Sequence, residues 1–348
     1  MKPYFRFLTF FILFLAFHTK IMANQMQTSL QPSLDEILYP ALEPFDQGFL
    51  KVSNIHTLWY AQYGNPQGVP VIVLHGGPGF GCNTEMRFFD LQFYRVILLD
   101  QRGANRSKPS GELKENTTDN LIADLEALRK YLKIKQWLVF GGSWGSTLAL
   151  AYGQTHPDKC LGFILRGIFL GRKCDAHQLW YGIRAQYPDV WQEFADFIPL
   201  SERNDLITAY EKRFNDSDPK VHYPAALAFM KYDLTCSYAL TTPNLDKLLG
   251  DKQRMLSTTR IFTHYCRHDC FLEKNQLLNN IHKINHLPAI IVHGRFDVIT
   301  LPSNAYALYQ QWPGAQLVLV QEGGHASLEP GIAKALVQAT EKMKSLTH

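Results

Sequence analysis

The sequence predicts an α/β fold, in which a mostly parallel β-sheet is flanked by helices and a block of further helices is inserted late in the chain. Short apolar runs alternate with helical segments over much of the 348 residues, as expected for strands buried on both faces. One run, 137–140, leads directly into a glycine-rich turn and a helix. From about 171 to 283 the alternation stops, and aromatic residues recur at helical spacing. We therefore predict a sheet-forming core, residues 37–170 and 284–348, interrupted by a helical domain, residues 171–283.

The N-terminus has the pattern of a secretory signal peptide, predicted here over residues 1–23. Lys2 and Arg6 precede the apolar run Leu8–Phe17, and a cleavage-site pattern closes the segment. Residues 24–36 are polar and are predicted to form a tether. The run is short for a bilayer span, so we expect a secreted or periplasmic protein with no integral membrane domain after cleavage. A cytoplasmic protein, or one tethered by an uncleaved signal, is the alternative.

Composition limits the classes of partner. The formal net charge is +4 and no basic cluster is present, so the sequence does not favour nucleic-acid binding. The six cysteines lack a framework spacing and are predicted to be mainly free thiols, with one pair, such as Cys266 and Cys270, open to oxidation. No second Cys/His pair at ligand spacing accompanies the stretch 266–270, so no metal site is expected there.

The core elements can be placed in chain order. Between Thr118 and Leu132 leucines line one face at helical spacing, which predicts a helix with Thr118 as its N-cap. Continuous apolar runs bounded by turn residues predict strands. The predicted strands are Val69–Leu74, Arg95–Leu99, Trp137–Phe140, Phe163–Leu165, Ala289–Val292 and Gln316–Val320.

The turn after the 137–140 strand reads Gly-Gly-Ser-Trp-Gly, with Ser143 at its centre. A G-x-S-x-G sequence between a strand and a helix places the serine on a sharp turn, where neighbouring Cβ atoms would clash. Such a turn exposes the Ser143 hydroxyl and directs the Trp144 N–H toward an oxygen on the attacked carbon. A plain tight turn is the alternative interpretation of this motif alone.

Two downstream residues can complete a catalytic triad. Asp297 follows the strand Ala289–Val292, and His325 follows the strand Gln316–Val320. A serine needs a base to remove its proton, and the base needs a carboxylate to orient it. The order Ser, Asp, His is the one used by α/β-hydrolases, so we expect Ser143, Asp297 and His325 to act together.

A second oxyanion donor is expected after the strand Val69–Leu74. The sequence there is His-Gly-Gly-Pro-Gly, and the Gly77 N–H is predicted to face the site together with that of Trp144. His75 is interpreted as a structural residue of this loop. Asp100 and Arg102 are interpreted as loop-bracing residues.

Taken together, these stretches resemble the proline iminopeptidases (prolyl aminopeptidases) of the α/β-hydrolase superfamily, over about Ile37 to Val337. HGGPG and GGSWGS together are far more specific than either motif alone. The matching stretches are HGGPG (75–79), DQRG with Arg106-Ser107 (100–107), GGSWGSTLALAY (141–152), LRGIFL (165–170), YPDVW (187–191), HGRFD (293–297) and GGHASLEPGI (323–332). The resemblance implies an α/β-hydrolase fold with a helical cap, and a cofactor-free serine exopeptidase that releases an N-terminal proline or another small residue.

The sequence departs from the family at the positions expected to bind the substrate's amino group. Family members usually carry two cap glutamates there, whereas this chain has the shorter Asp233 at one position and Phe262 at the other. One carboxylate compensates a desolvated ammonium group less well than two, and a phenyl ring offers only a cation–π contact. The cap aromatics can either pack the cap's own core or line a pocket. They are Trp180, Tyr181, Tyr187, Trp191, Phe229 and Tyr232.

Three functional hypotheses follow. The first is the serine aminopeptidase, acting on a peptide or small-molecule substrate without cofactor or metal. The second keeps the triad but hydrolyses neutral acyl esters or amides, which Phe262 would favour. The third, a catalytically silent hydrolase fold that only binds ligands, is disfavoured by the complete triad. Dehalogenase or epoxide hydrolase chemistry is also disfavoured, because it requires a carboxylate in place of Ser143. The sequence does not indicate an oligomeric state.

Overall fold

The computed structural model of the protein describes residues 32–240, 245 and 249–346. The predicted signal peptide, residues 1–23, and most of the predicted tether lie outside the described residues.

An eight-stranded sheet forms the centre of the molecule, with the strand order β1-β2-β4-β3-β5-β6-β7-β8. β1 and β2 pair antiparallel, as do β2 and β4, and all other neighbours are parallel. The predicted α/β fold is therefore confirmed. The strands are β1 (Asp46–Lys51), β2 (Thr57–Gly64), β3 (Val69–Leu74), β4 (Tyr94–Leu99), β5 (Trp137–Gly142), β6 (Cys160–Arg166), β7 (Ala289–Gly294) and β8 (Ala315–Val320).

The strands β1 and β2 are missing from the sequence-based prediction. β1 alternates between half-buried and exposed residues, so it contains no continuous apolar run. β2 contains the buried polar residue Gln62, whose amide group donates to Asp46 and accepts from Arg95. These partners satisfy a side chain that breaks the hydrophobic pattern, which explains why a pattern search overlooks the strand.

Helices flank the sheet and form the cap. The α-helices are α1 (Leu34–Ile37), α2 (Thr118–Tyr131), α3 (Trp144–Thr155), α4 (Lys173–Trp180), α5 (Pro188–Asp196), α6 (Leu206–Phe214), α7 (Pro219–Ser237), α8 (Lys252–Arg267), α9 (Gln276–Asn279), α10 (Pro302–Gln310) and α11 (Pro330–Met343). Short 3₁₀ turns lie at Glu85–Phe88, Pro157–Lys159, Gly182–Ala185, Leu200–Asp205, Asp269–Phe271 and Ile281–Lys283. Among the residues described, no helix is both long and apolar enough to cross a bilayer.

The N-cap predicted for α2 is wrong by one residue. Thr117 caps the helix, with its side-chain oxygen accepting from the Asn120 N–H at 3.3 Å. Thr118 lies inside the first turn, and its buried hydroxyl donates instead to the Cys270 carbonyl oxygen. Adjacent threonines are equivalent in a sequence pattern, and this tertiary contact decides which one enters the helix.

Both faces of the sheet are covered by apolar layers. Helices α2, α3 and α10 pack on one face, and α11 packs on the other. The helices between β6 and β7 have a hydrophobic cluster of their own, in which the Phe194 ring stacks between Tyr210 and Tyr232 at 4.6 and 4.3 Å. The inserted segment is therefore a helical cap with its own core.

Two contacts fasten the cap to the carboxyl edge of the sheet. From α8, Thr258 Oγ1 donates to the Gly79 carbonyl oxygen at 3.0 Å, on the loop after β3. At the end of α7, the Ser237 carbonyl oxygen accepts from the N–H groups of His325 and Ala326 at 2.9 and 2.8 Å. Both contacts reach loops that carry predicted site residues.

Candidate active site

Ser143 occupies the turn between β5 and α3 with φ +58° and ψ −125°, a conformation that non-glycine residues rarely adopt. The glycines around it permit this turn. A Cβ on Gly141 would collide with the Gly145 carbonyl oxygen, and a Cβ on Gly145 would collide with the Leu74 carbonyl oxygen. Because both obstacles are backbone atoms, α3 can approach β3 this closely only with glycine at these positions.

Ser143, His325 and Asp297 form one hydrogen-bonded chain. His325 Nε2 lies 2.9 Å from Ser143 Oγ, and His325 Nδ1 lies 2.8 Å from Asp297 Oδ2. Each residue follows its own parallel strand, so the three side chains meet at the carboxyl edge of the sheet. This geometry allows the imidazole to take the serine proton while the carboxylate holds the ring.

Asp297 is buried but is held in its ionised form. Burial alone would raise the pKa of this carboxyl group. The charge and hydrogen bond of His325, together with the Thr300 N–H, outweigh burial and lower the pKa to about 2. Thr300 Oγ1 donates to Asp297 Oδ2 at 2.9 Å, and the N–H groups of Ile299 and Thr300 donate to Oδ1 at 3.0 and 2.8 Å.

The N–H groups of Gly77 and Trp144, the two predicted oxyanion donors, have no hydrogen-bond partner among the described residues. Trp144 is the first residue of α3, so its N–H has no carbonyl partner within the helix. Gly77 lines the same cavity as Ser143, and its N–H donates to no other residue in the described part of the chain. Two free N–H groups beside a nucleophile are what a tetrahedral oxyanion requires.

The neighbouring charged residues brace the loops. His75 Nε2 accepts from the Gln101 N–H at 3.0 Å, and burial lowers the pKa of His75 to about 4, which keeps it neutral. Asp100 pairs with Arg106 at 2.6 Å, and Arg102 pairs with Asp124 at 2.6 Å. These contacts agree with the structural interpretation of His75, Asp100 and Arg102.

A cavity of about 250 Å³ lies between the cap and the sheet edge. Ser143 and His325 line it from the sheet side, and Asp233 and Phe262 line it from the cap. Asp233 is only 9% exposed, and no side chain in the described residues donates to its carboxylate. Burial raises the pKa of Asp233 to about 6, against the lowering effect of His325.

The cap aromatics divide between the two roles considered for them. Trp180 and Tyr232 are fully buried in the cap core. Phe229 belongs to the same cluster and also lines the cavity, where its ring centroid lies 5.1 Å from that of Phe262. The end of the cavity near Asp233 is therefore an aromatic pocket with one unpaired carboxylate.

Four site residues escape the sequence analysis. Thr300 bonds to the Asp297 carboxylate. Arg166 donates through Nη1 to the His325 carbonyl oxygen at 2.8 Å, and Nη1 lies 3.4 Å from His325 Nε2. Glu329 accepts from the Gly324 N–H beside His325, and Glu85 lines the cavity. Arg166 lies in the LRGIFL motif, Glu329 lies in GGHASLEPGI, and Thr300 closely follows HGRFD. No local pattern marks Glu85.

The cap acids Asp269 and Glu273 do not replace the missing glutamate. Asp269 lies 3.5 Å from the exposed Lys173 ammonium group, and Glu273 is exposed. Neither residue lines the cavity. In the described residues, all six cysteines are free thiols, and no group of three or more His, Cys, Asp or Glu side chains is arranged to hold a metal ion.

Comparison with known proteins identifies the relatives of this arrangement. Residues 69–331 match the model of the alpha/beta hydrolase fold family. A proline iminopeptidase from Arabidopsis thaliana is 48% identical over 317 residues, which cover 89% of this chain and 82% of the relative. The chain belongs to the proline iminopeptidase family. A further member, the proline iminopeptidase of Xylella fastidiosa (strain Temecula1 / ATCC 700964), is 43% identical over 87% of this chain and 98% of its own length.

Solved structures of low sequence identity share the family's fold. An esterase from Exiguobacterium antarcticum matches with a TM-score of 0.60 at 17% identity, over 87% of this chain and 99% of the esterase. A putative lipase from Acinetobacter baumannii matches with a TM-score of 0.61 at 16% identity, over 86% of this chain and 91% of the lipase. These matches support the α/β-hydrolase fold.

Proposed function

We propose that this protein is a serine exopeptidase that releases an N-terminal proline, or another small residue, from peptides. One observation carries the proposal. The chain Ser143–His325–Asp297, with distances of 2.9 and 2.8 Å, opens into a cavity whose cap side bears a buried carboxylate beside aromatic rings. The names of the family's curated members are consistent with this activity.

The reaction proceeds in two halves. Ser143 Oγ attacks the carbonyl carbon of the first residue while His325 Nε2 takes the hydroxyl proton. The N–H groups of Gly77 and Trp144 bind the oxyanion, and His325 then gives its proton to the leaving amine. Water next attacks the acyl-enzyme, with His325 as base again, and the free amino acid leaves while Ser143 regains its proton. Asp297 orients the imidazole and stabilises its charged form throughout.

Asp233 is the residue proposed to bind the substrate's amino group. Its buried carboxylate has no competing side-chain donor in the described part of the chain, so an ammonium group can satisfy it. Phe229 lies one helical turn before Asp233, and its ring centroid is 5.1 Å from that of Phe262. Both rings line the cavity and can contact a pyrrolidine ring and its charge. A protonated N-terminal proline matches this combination of one carboxylate and an aromatic wall.

An esterase or amidase that acts on neutral acyl substrates is the second candidate. The observation that favours it is Phe262, because an aromatic ring in place of a second carboxylate makes the pocket less polar. Better turnover of blocked than of free-amine substrates would support this candidate.

The test compares substrates on the purified protein that lacks residues 1–23. Proline, alanine and leucine naphthylamides are measured beside an N-acetyl-proline analogue and a short-chain nitrophenyl ester. The proposal predicts the highest kcat/KM for the free-amine proline substrate. Faster hydrolysis of the blocked compound or the ester would reject it in favour of the second candidate.

We also propose that the protein acts outside the cytoplasm, in a secreted or periplasmic location. The pattern of residues 1–23 supports this proposal. The mass of the protein isolated from the cell surface, medium or periplasm tests it, because cleavage removes about 23 residues.

A further inference from the structure

The cavity extends well beyond the end that carries Asp233. Arg254, Thr258, Phe262 and Cys266 of α8 all line it, and their spacing of four residues places them on one face of the helix. Phe262 marks the amine end. Arg254 lies two turns away, which corresponds to about 12 Å along the helix axis.

Glu85 also lies in the cavity wall, and the charge of Arg254 acts on its carboxylate. It follows Gly81 and Asn83 along the loop that begins at Gly77, and all four residues line the cavity. The Glu85 oxygen Oε2 accepts from the Asn83 N–H at 2.6 Å. Within residues 32–240, 245 and 249–346, no side chain donates to the Glu85 carboxylate or forms an ion pair with it.

The environment of this carboxylate is unfavourable unless a ligand is present. Burial raises the pKa of Glu85, and the charge of Asp100 adds to the increase. Backbone hydrogen bonds and the positive charge of Arg254 act in the opposite direction. A desolvated carboxylate in a cavity, with backbone hydrogen bonds but no ion-pair partner among the described side chains, is a common mark of a binding site for a cation.

Arg254 forms no ion pair with Glu85 among the described residues. Its Nε and Nη2 atoms both donate to the Phe80 carbonyl oxygen, at 3.2 and 2.9 Å. The guanidinium group therefore ties α8 to the loop after β3, and its charge helps to keep Glu85 ionised.

We propose that Glu85 forms a subsite for a cationic side chain on the substrate residue that follows the cleaved bond, so that peptides with lysine or arginine in second place are preferred. The inference rests on the proposed exopeptidase function. With the amino group at Asp233 and the carbonyl at Ser143, the rest of the peptide must lie along another part of the cavity wall, and Glu85 belongs to that wall.

The reach of such a substrate fits the cavity. Two residues of extended backbone cover about 7 Å, and a lysine side chain adds roughly 6 Å. The sum is close to the distance of about 12 Å between the levels of Phe262 and Arg254 on α8. The proposal requires that a lysine ammonium group in second place reach Glu85 while the N-terminal amine remains at Asp233.

The test measures kcat/KM for prolyl-lysine amide, prolyl-alanine amide, prolyl-glutamate amide and proline naphthylamide. Amidation removes the terminal carboxylate, which could otherwise interact with Arg254. Glu85→Gln is the variant, because glutamine retains an acceptor for the Asn83 N–H. Glu193→Gln is the matched control, since Glu193 pairs with Lys231 on the surface and does not line the cavity.

The wild-type protein should prefer prolyl-lysine amide over prolyl-alanine amide by about tenfold, the size of one charge-assisted hydrogen bond. Glu85→Gln should abolish this preference, because the charge that would bind the lysine ammonium group is removed. Glu193→Gln should retain the preference.

Equal rates for the lysine and alanine peptides, or a lysine preference that survives Glu85→Gln, would overturn the subsite. A preference for prolyl-glutamate amide would also overturn it and assign this end of the cavity to Arg254. If the subsite is overturned while the wild-type protein still hydrolyses proline naphthylamide, the proposed exopeptidase function stands. Absence of naphthylamide hydrolysis would overturn both.

Discussion

Ser143 depends on its neighbours for both position and reactivity. Its backbone has φ +58°, and its hydroxyl group lies 2.9 Å from His325 Nε2. The strain of the turn is retained because the surrounding strand and helix are tightly packed through glycines.

We predict that Ser143→Ala lowers kcat for the best substrate by at least about a thousandfold, since loss of a triad nucleophile removes several orders of magnitude. Far-UV circular dichroism and the melting temperature should stay close to wild type. Retention of more than about a thousandth of the activity in a folded variant would assign the nucleophile to another residue. Loss of fluorophosphonate labelling in the same variant checks the assignment directly.

Asp233 should give the KM a characteristic pH dependence. In the proposed role, its carboxylate would bind an ammonium group only when ionised, and its pKa is raised to about 6 by burial. The KM for free-amine substrates should therefore rise as the pH falls through about 6. Asp233→Asn should raise the KM at pH 8 by about tenfold or more and remove this pH dependence, because the charged partner is lost. An unchanged KM in Asp233→Asn would exclude Asp233 from the amine site.

The same carboxylate should reduce stability at neutral pH. The pKa of Asp233 in the folded protein, about 6, lies above its ordinary value of 3.8, so the folded state binds the proton more tightly than the unfolded state. Proton binding at Asp233 therefore stabilises the folded protein below about pH 4, and this stabilisation is lost as the pH rises through about 6. Asp233→Asn should therefore increase the free energy of unfolding by about 1–3 kcal/mol at pH 7.5, with little change at pH 4. Denaturant titrations at the two pH values test this, and an equal effect at both would contradict it.

At the scale of elements, Glu329 joins the loop of His325, the proposed catalytic base, to the end of a cap helix. It is 2% exposed, and Oε2 accepts from the Gly324 N–H. Oε1 accepts from the N–H groups of Ala239 and Leu240, at 2.8 and 3.3 Å, just after α7. Because α7 also carries Asp233, this carboxylate connects the helix proposed to bind the substrate's amino group with the position of His325.

Glu329→Ala should lower the free energy of unfolding by about 2–4 kcal/mol, because it leaves buried backbone N–H groups without acceptors. It should also reduce kcat more than it raises KM, since the loop before His325 loses its anchor. Glu193→Ala, on an exposed ion pair with Lys231, should change stability by less than about 1 kcal/mol. Similar losses in both variants would show that Glu329 has no special anchoring role.

At the scale of the whole molecule, the cap and the sheet act as the two walls of one cavity. The sheet edge supplies Ser143 and His325, and the cap supplies Asp233 and Phe262. Helix α8 fixes the spacing between the walls through Thr258, which donates to the Gly79 carbonyl oxygen of the loop that bears Gly77.

Removal of residues 1–23 should leave kcat/KM within about twofold of the full chain, because no residue proposed to act in the reaction belongs to this segment. The triad, the proposed oxyanion donors and the cavity residues all lie between residues 76 and 328. Steady-state kinetics on the truncated and full-length proteins test this. A large loss of activity with the melting temperature unchanged would assign a catalytic contribution to the N-terminal segment.

Much of this protein could be predicted from local sequence. The strand–turn–helix around Ser143 and the family's alpha/beta hydrolase fold follow from short motifs, because each motif meets a steric requirement within a few residues. Parallel strands also bring residues that follow them to one sheet edge, which is why Asp297 and His325 could be expected beside Ser143. The strands β1 and β2 were not predictable in this way, since one is an edge strand and the other buries a paired glutamine.

Other features depend on contacts between residues that are far apart in the chain. Whether Thr117 or Thr118 caps α2 is decided by the bond to Cys270, 152 residues away from Thr118. The docking of the cap over the sheet decides two further features. It leaves Asp233 without a donor among the described side chains, and it places Glu85 on the same cavity. The local sequence therefore determined the fold class and the candidate nucleophile, base and carboxylate. The tertiary structure alone decided which charges are buried without partners, because burial is a property of packing between distant elements.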